Sequence, residues 1–405
     1  MKKNILFALY LIIPFQSCST SKNMADNQVS RGHYRLYTYP QKQKKEKIDK
    51  DRYQKITILG INDFKGNNDP QSLPIKNKFE EQRVIRSGGI AAMKSYIDLM
   101  KKTQQNPVLV VDAGSFLDPE HDFSKNLFLY NYLEVDAANL GTTEYFFKHE
   151  RSDQLASLKH LTSKAKFPIL NNNITYLLTD TQLKDVGVRP YSLQEKNGLK
   201  IGIIGTTTPD VSQEQPGQTI PGVYIENVAK SIITSANSLR RMGAQLIILL
   251  LNKGIDCTSL LSKELDISDN KVNFDPYETR YCDSYKNKFF EALRLLPPKT
   301  IDVAFTSGVS SKVANFIQEV PVLQNKGYGQ FLSWIDLYYD KKHLVVASEK
   351  TKIHQPIHLC HNFLADNQDC YISEEIDDKE ITPATFLGEK VIINSLSTIA
   401  HSTDK

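Results

Sequence analysis

Of the nine histidines in this 405-residue chain, none lies between positions 161 and 342. That central stretch offers no imidazole to a metal ion or a proton-transfer step. Charge of one sign is also missing: 50 Lys and Arg face 46 Asp and Glu, a formal +4. So small a surplus gives no field for gripping a phosphate backbone, and nucleic acid is not an expected partner. Only one apolar run approaches spanning length, at the extreme N-terminus, so a multi-pass membrane protein is excluded. No repeat of fixed period and no G-x-S-x-G elbow occurs. What is present, 40% hydrophobic against 24% charged residues, excludes wholesale disorder. The length suits two average domains or one large α/β domain with extensions.

The N-terminus reads MKKNILFALYLIIPFQSC. Two lysines, a short apolar stretch and a small Ser17 before Cys18 predict a secretory signal over 1–17. The Ser17–Cys18 junction resembles a bacterial lipoprotein box, in which Cys18 becomes the lipid-modified first residue. Ser19, where an Asp would retain such a protein at the inner membrane, points to the periplasmic side of the outer membrane. The alternative is a secreted or periplasmic protein with a chance cysteine. The other four cysteines form an even set. In an oxidising compartment they suggest two disulfides with three pairings open, of which Cys257–Cys282 and Cys360–Cys370 each bracket a short polar loop. A zinc site from His354, His358, Cys360, His361 and Cys370 is the competing reading, although its spacing fits no standard finger.

Residues 18–54 are polar, with QKQKKEKIDKDR at 41–52, and read as a tether. From Lys55 the pattern changes. KITILGI (55–61), PVLVVDA (107–113), LKIGIIG (199–205), AQLIILLL (244–251), IDVAFTS (301–307) and PVLQ (321–324) are short β-branched runs, as expected of strands buried on both faces. Ile90, Met93, Ile97 and Met100 share one helical face, and Val228, Ile232, Ala236 and Leu239 another. Strands alternating with helices predict an α/β fold with its site at strand C-termini. Gly88–Gly89 before Ile90 reads as a tight entry into a helix.

Nine segments, in order, carry a resemblance: ITILGINDFKGN (56–67), SGGIAAMKSYI (87–97), PVLVVDAGS (107–115), VDAANLGTTEY (135–145), FPILNNNI (167–174), NGLKIGIIGTTTPD (197–210), LIILLLNKG (246–254), IDVAFTSGVSS (301–311) and VPVLQNKGYGQFLSWIDL (320–337). The series resembles the N-terminal catalytic domain of bacterial 5′-nucleotidases, of the calcineurin-like metallophosphoesterase superfamily, over 55–345. The resemblance implies an α/β sandwich of two packed mixed sheets flanked by helices, with an insertion at 255–300. It also implies a short C-terminal extension at 346–405 in place of a nucleotidase C-terminal domain.

In that family two divalent ions clamp a phosphate ester and lower the pKa of a bridging water. Carried over position by position, the ligands are nearly all replaced. Asp63 is kept. Lys65, Ser115, Thr142, Thr143, Asn252, Val309 and Ser311 stand where the resemblance implies ligands. An ammonium about 4 Å from a dication is repelled by roughly 8 kcal/mol at an effective dielectric of 20, so Lys65 itself disfavours a metal. Asp63 is expected either to cap the adjacent loop or to pair with Lys65 filling the vacated position. Glu144, with His149 and Glu150 nearby, reads as surface charge. No metal or cofactor is expected. The expectation is a non-catalytic 5′-nucleotidase-like lipoprotein, anchored to the membrane by lipid and working through envelope protein partners. The alternatives are a metal-dependent phosphoesterase with a rebuilt site and a nucleotide-binding module in the old cleft.

Overall fold

The Tyr53–Ile61 strand is the hub of the first of two sheets. It runs parallel to Val108–Asp112 on one side and antiparallel to Phe331–Asp340 on the other. The computed structural model describes residues 48–76, 82–118, 123–146, 153–179, 181–209, 222–252, 254, 288–308, 313–317, 319–364, 370 and 381–394. Beyond Val108–Asp112 the first sheet continues in parallel through Ala137–Asn139 to Ile169–Leu170. The second sheet has the order Val313–Ile317, Val320–Gln324, Val303–Ser307, Leu246–Asn252, Leu199–Thr207, Tyr191–Lys196, with its four inner strands parallel.

Period-two alternation explains the layering. In Leu246–Asn252, Leu246, Ile248 and Leu250 face a core shared with Ile56, Ile58, Leu109 and Val111 of the first sheet. Ile247, Leu249 and Leu251 point the other way, onto Ile232, Ala236 and Leu239 of the Val228–Arg241 helix and Phe289 and Phe290 of the Lys288–Leu295 helix. On the outer face of the first sheet, Leu59, Ile61 and Val110 meet Ile90, Met93, Ile97 and Met100 of the Ile90–Thr103 helix. The molecule is therefore a sandwich of two mixed sheets between helices, as the resemblance implies.

The sheets approach closely where glycine removes a side chain. A Cβ at Gly60 would lie 2.2 Å from the Phe305 ring, and one at Gly205 would lie 2.5 Å from the Leu170 carbonyl. Gly89 caps the Ile90–Thr103 helix at φ 85°, the left-handed conformation its position requires.

Beyond Asp340 the chain returns to the first sheet. Lys352–Ile353 and Ile357–His358 pair with Phe331–Asp340. Leu359 O accepts the Gly88 N–H at 2.8 Å, and Cys360 O accepts the Tyr96 hydroxyl at 2.9 Å. A Cys360–Cys370 disulfide fastens this strap, whose Leu359, Cys360, Leu364 and Cys370 are buried. Cys18, Cys257 and Cys282 lie outside the described residues. Among the described residues no helix is long and apolar enough to cross a membrane.

Candidate functional site at the strand ends

Loops leaving the C-terminal ends of the parallel strands converge on one place. Asp63 and Lys65 follow Tyr53–Ile61, and Ser115 follows Val108–Asp112. Thr142–Glu144 follow Ala137–Asn139, and Asn252 ends Leu246–Asn252. The first two loops are zipped by backbone bonds: the N–H groups of Asp63, Lys65 and Gly66 donate to the carbonyls of Gly114, Ser115 and Phe116, each at 3.0 Å. Asp63, Lys65 and Ser115 all adopt positive φ, 48°, 49° and 63°. Non-glycine residues hold that conformation only where the surroundings over-determine it, and this ladder supplies the constraint.

Neutral groups knit the centre together. The Thr142 hydroxyl donates to Asn252 Oδ1 at 3.1 Å, and Asn252 Nδ2 donates to Ser307 Oγ at 2.9 Å and Ser115 Oγ at 3.5 Å. Thr142 N–H donates to Ser115 Oγ at 3.1 Å, and the Ser307 hydroxyl donates to Ala113 O at 2.9 Å. Three of the substituted positions thus satisfy one another's hydrogen-bonding capacity inside the molecule.

Asp63 is buried and caps the loop across the cleft: its carboxylate accepts the Gly308 N–H at 2.9 and 3.1 Å and the Asn62 amide at 3.0 Å. Of the two roles open to Asp63, the structure shows the loop cap, and Lys65 lies elsewhere. Its ammonium lies over the Tyr328 ring, 5.1 Å from the centroid, and does not pair with Asp63.

Glu144 is a second correction. It is fully buried, and its carboxylate accepts the N–H groups of Ser115, Phe116, Leu117 and Gly141 at 2.8–3.0 Å and the Thr143 hydroxyl at 2.6 Å. Burial pushes this carboxyl up, against the pull of those donors. It holds the Ser115 loop in place and carries no surface role. Behind it, fully buried Asp112 accepts Tyr130 O–H and Gly114 N–H, and burial raises its carboxyl well above the usual range. Thr206 and Thr207 are also buried. They bond Asn172 and Asn171 and so tie the adjoining loop to the second sheet. Val309, Ser311, His149 and Glu150 lie outside the described residues.

A pair of divalent ions calls for several carboxylates and imidazoles around a shared bridging ligand. Among the described residues three carboxylates lie here, Asp63 bonded to Gly308 and Asn62, Glu144 to four backbone N–H groups and Asp112 to Gly114 and Tyr130, together with hydroxyls and an amide engaged with each other. They do not fit such a centre.

No protein-family model matches the chain. It is 26% identical over 314 residues to the snake venom 5′-nucleotidase of Crotalus adamanteus, covering 75% of this chain and 48% of that protein. Among solved structures, the 5′-nucleotidase precursor of Thermus thermophilus superposes with a TM-score of 0.53 at 18% identity, over 76% of this chain and 55% of that one. The calcineurin-like phosphoesterase YfkN of Bacillus subtilis gives 0.50 at 17% identity, over 76% and 91%. The fold and the strand-end position of the site define a calcineurin-like phosphoesterase architecture. In sequence the chain is similar to 5′-nucleotidases, and to the UshA protein of Escherichia coli at 29% identity over 41% of this chain and 28% of that one. It spans about half the length of the venom enzyme it matches.

Proposed function

We propose that this 5′-nucleotidase-like protein does not hydrolyse phosphoesters. It serves instead as a lipid-anchored component on the periplasmic side of a bacterial outer membrane, acting through contacts with other envelope proteins. One observation carries the first half of this reading: Thr142, Asn252, Ser115 and Ser307 form a closed, uncharged hydrogen-bond network at the strand ends. A cation entering there would have to break bonds already made, and the described carboxylates beside it, Asp63, Glu144 and Asp112, are themselves engaged in hydrogen bonds. The signal-like N-terminus with Cys18 supports the second half.

Purified protein is expected to release no phosphate from nucleotides or bis(p-nitrophenyl) phosphate with Mn²⁺ or Zn²⁺, and to carry no stoichiometric metal by elemental analysis. Turnover that disappears in Asp63→Ala overturns the reading. Radiolabelled palmitate should label the wild type and not Cys18→Ala. Crosslinking in intact envelopes followed by affinity purification tests for the protein partners.

A further inference from the structure

A cavity of about 920 Å³ lies between the loop after Ile169–Leu170 and the N-terminal half of the Val228–Arg241 helix. Its size falls in the range of small-molecule sites, roughly 300–1,000 Å³. Neither Asp63, Lys65, Ser115, Thr142 nor Asn252 lines it, so it is separate from the strand-end network.

Its floor is polar and buried. Asn172, Ser231 and Ser235 are 2%, 5% and 4% exposed. Asn172 is held in one orientation, accepting the Thr206 hydroxyl at 2.9 Å and donating to Ser235 Oγ at 3.0 Å. The Ser231 hydroxyl, in contrast, is buried with no hydrogen-bond partner, a condition folded proteins rarely leave unremedied. On the wall, the Tyr176 hydroxyl donates to both carboxylate oxygens of Asp185, at 2.8 and 2.9 Å, which fixes the ring. Beside it Leu178 is 95% exposed.

Among the described residues of the rim the charges cancel: Lys184 and Lys230 stand against Asp185 and Glu226. That balance disfavours a phosphate or a nucleotide, which a net positive lining would serve. The remaining lining is dense in groups that both donate and accept, among them the hydroxyls of Thr179, Thr181 and Thr234. A pinned aromatic ring, hydroxyls and amides of both polarities, and no net charge among the described lining residues match a ligand with an apolar ring face and a girdle of hydroxyls. We infer that this cavity binds a neutral saccharide, its ring face against Tyr176 and its hydroxyls over the Ser231 floor.

Isothermal titration and saturation-transfer NMR of the full chain, with chitotriose and maltotriose as probes and inorganic phosphate and AMP as controls, test this. One oligosaccharide is expected to bind saturably at one site per chain. Thr234→Trp, at an exposed helix position on the mouth, should weaken binding at least about tenfold with the thermal unfolding midpoint unchanged. Tyr176→Ala should weaken it by about tenfold, and Tyr176→Phe by less, since the ring remains. Failure of the folded wild type to bind either oligosaccharide overturns the inference. So does binding that Thr234→Trp leaves intact, or a preference of the site for phosphate or AMP.

Discussion

Asp336 joins three parts of the chain that lie far apart in sequence. Its carboxylate accepts the Thr57 hydroxyl at 2.6 Å, meets Lys55 Nζ at 2.9 Å, and bonds His354 Nε2 at 3.0 Å. Burial pushes this carboxyl up, but the bonds from His354 and Thr57 and the charge of Lys55 outweigh it and bring the pKa to about 2. A folded value below the unfolded one means stability that is present above about pH 4 and lost as pH falls towards 2. The amount is about 2 kcal/mol. Urea titrations should therefore find Asp336→Asn less stable than the wild type at pH 7, with the gap narrowing by that amount at pH 2. Glu144 gives a sharper result. Glu144→Ala strands four buried N–H groups and should cost about 3–5 kcal/mol in a chemical denaturation curve, with Glu144→Gln milder. Asp63, Ser115, Thr142 and Asn252 are recognisable as one site in the sequence only through the family resemblance, which implies ligands at all four positions. The burial of Glu144 is not legible, because its partners are backbone N–H groups contributed by a different loop.

Six strands announce themselves as apolar runs because both of their faces are covered by other layers. Phe331–Asp340 does not, since its buried positions include Ser333, Asp336 and Asp340, which tertiary partners satisfy. Ala137–Asn139 and Ile169–Leu170 are too short to show any period. The closeness of the two sheets sets another expected outcome. Gly60→Ala forces the Phe305 ring to move and should destabilise by about 1–3 kcal/mol, partly restored by Phe305→Leu in the same chain, as read by thermal unfolding. The strap makes a separate prediction. The disulfide closes a loop with a sequence separation of 10, so Cys360→Ala with Cys370→Ala should cost about 2–3 kcal/mol. Hydrogen exchange should rise first at Gly88, whose N–H is held by Leu359 O.

At the scale of the whole molecule, the sandwich surrounds strand ends where Thr142, Ser115, Asn252 and Ser307 are bonded to one another. A ligand that binds only the folded state raises the melting temperature with its concentration. Mn²⁺ or Zn²⁺ up to about a hundred times an ordinary micromolar dissociation constant would contribute about 2.7 kcal/mol through a competent site. Scanning calorimetry of this protein with either ion is expected to find no concentration-dependent rise.

The pairing of Thr57 with Asp336 spans 279 residues. While the polypeptide is being made, the hub strand emerges early and waits for its antiparallel neighbour until nearly all the rest has appeared. A nascent chain ending before Phe331 leaves that strand with an open edge, a template for association with other copies. Such a protein gains most from a route that keeps it unfolded until synthesis is complete, and then lets both neighbours of the hub strand dock together.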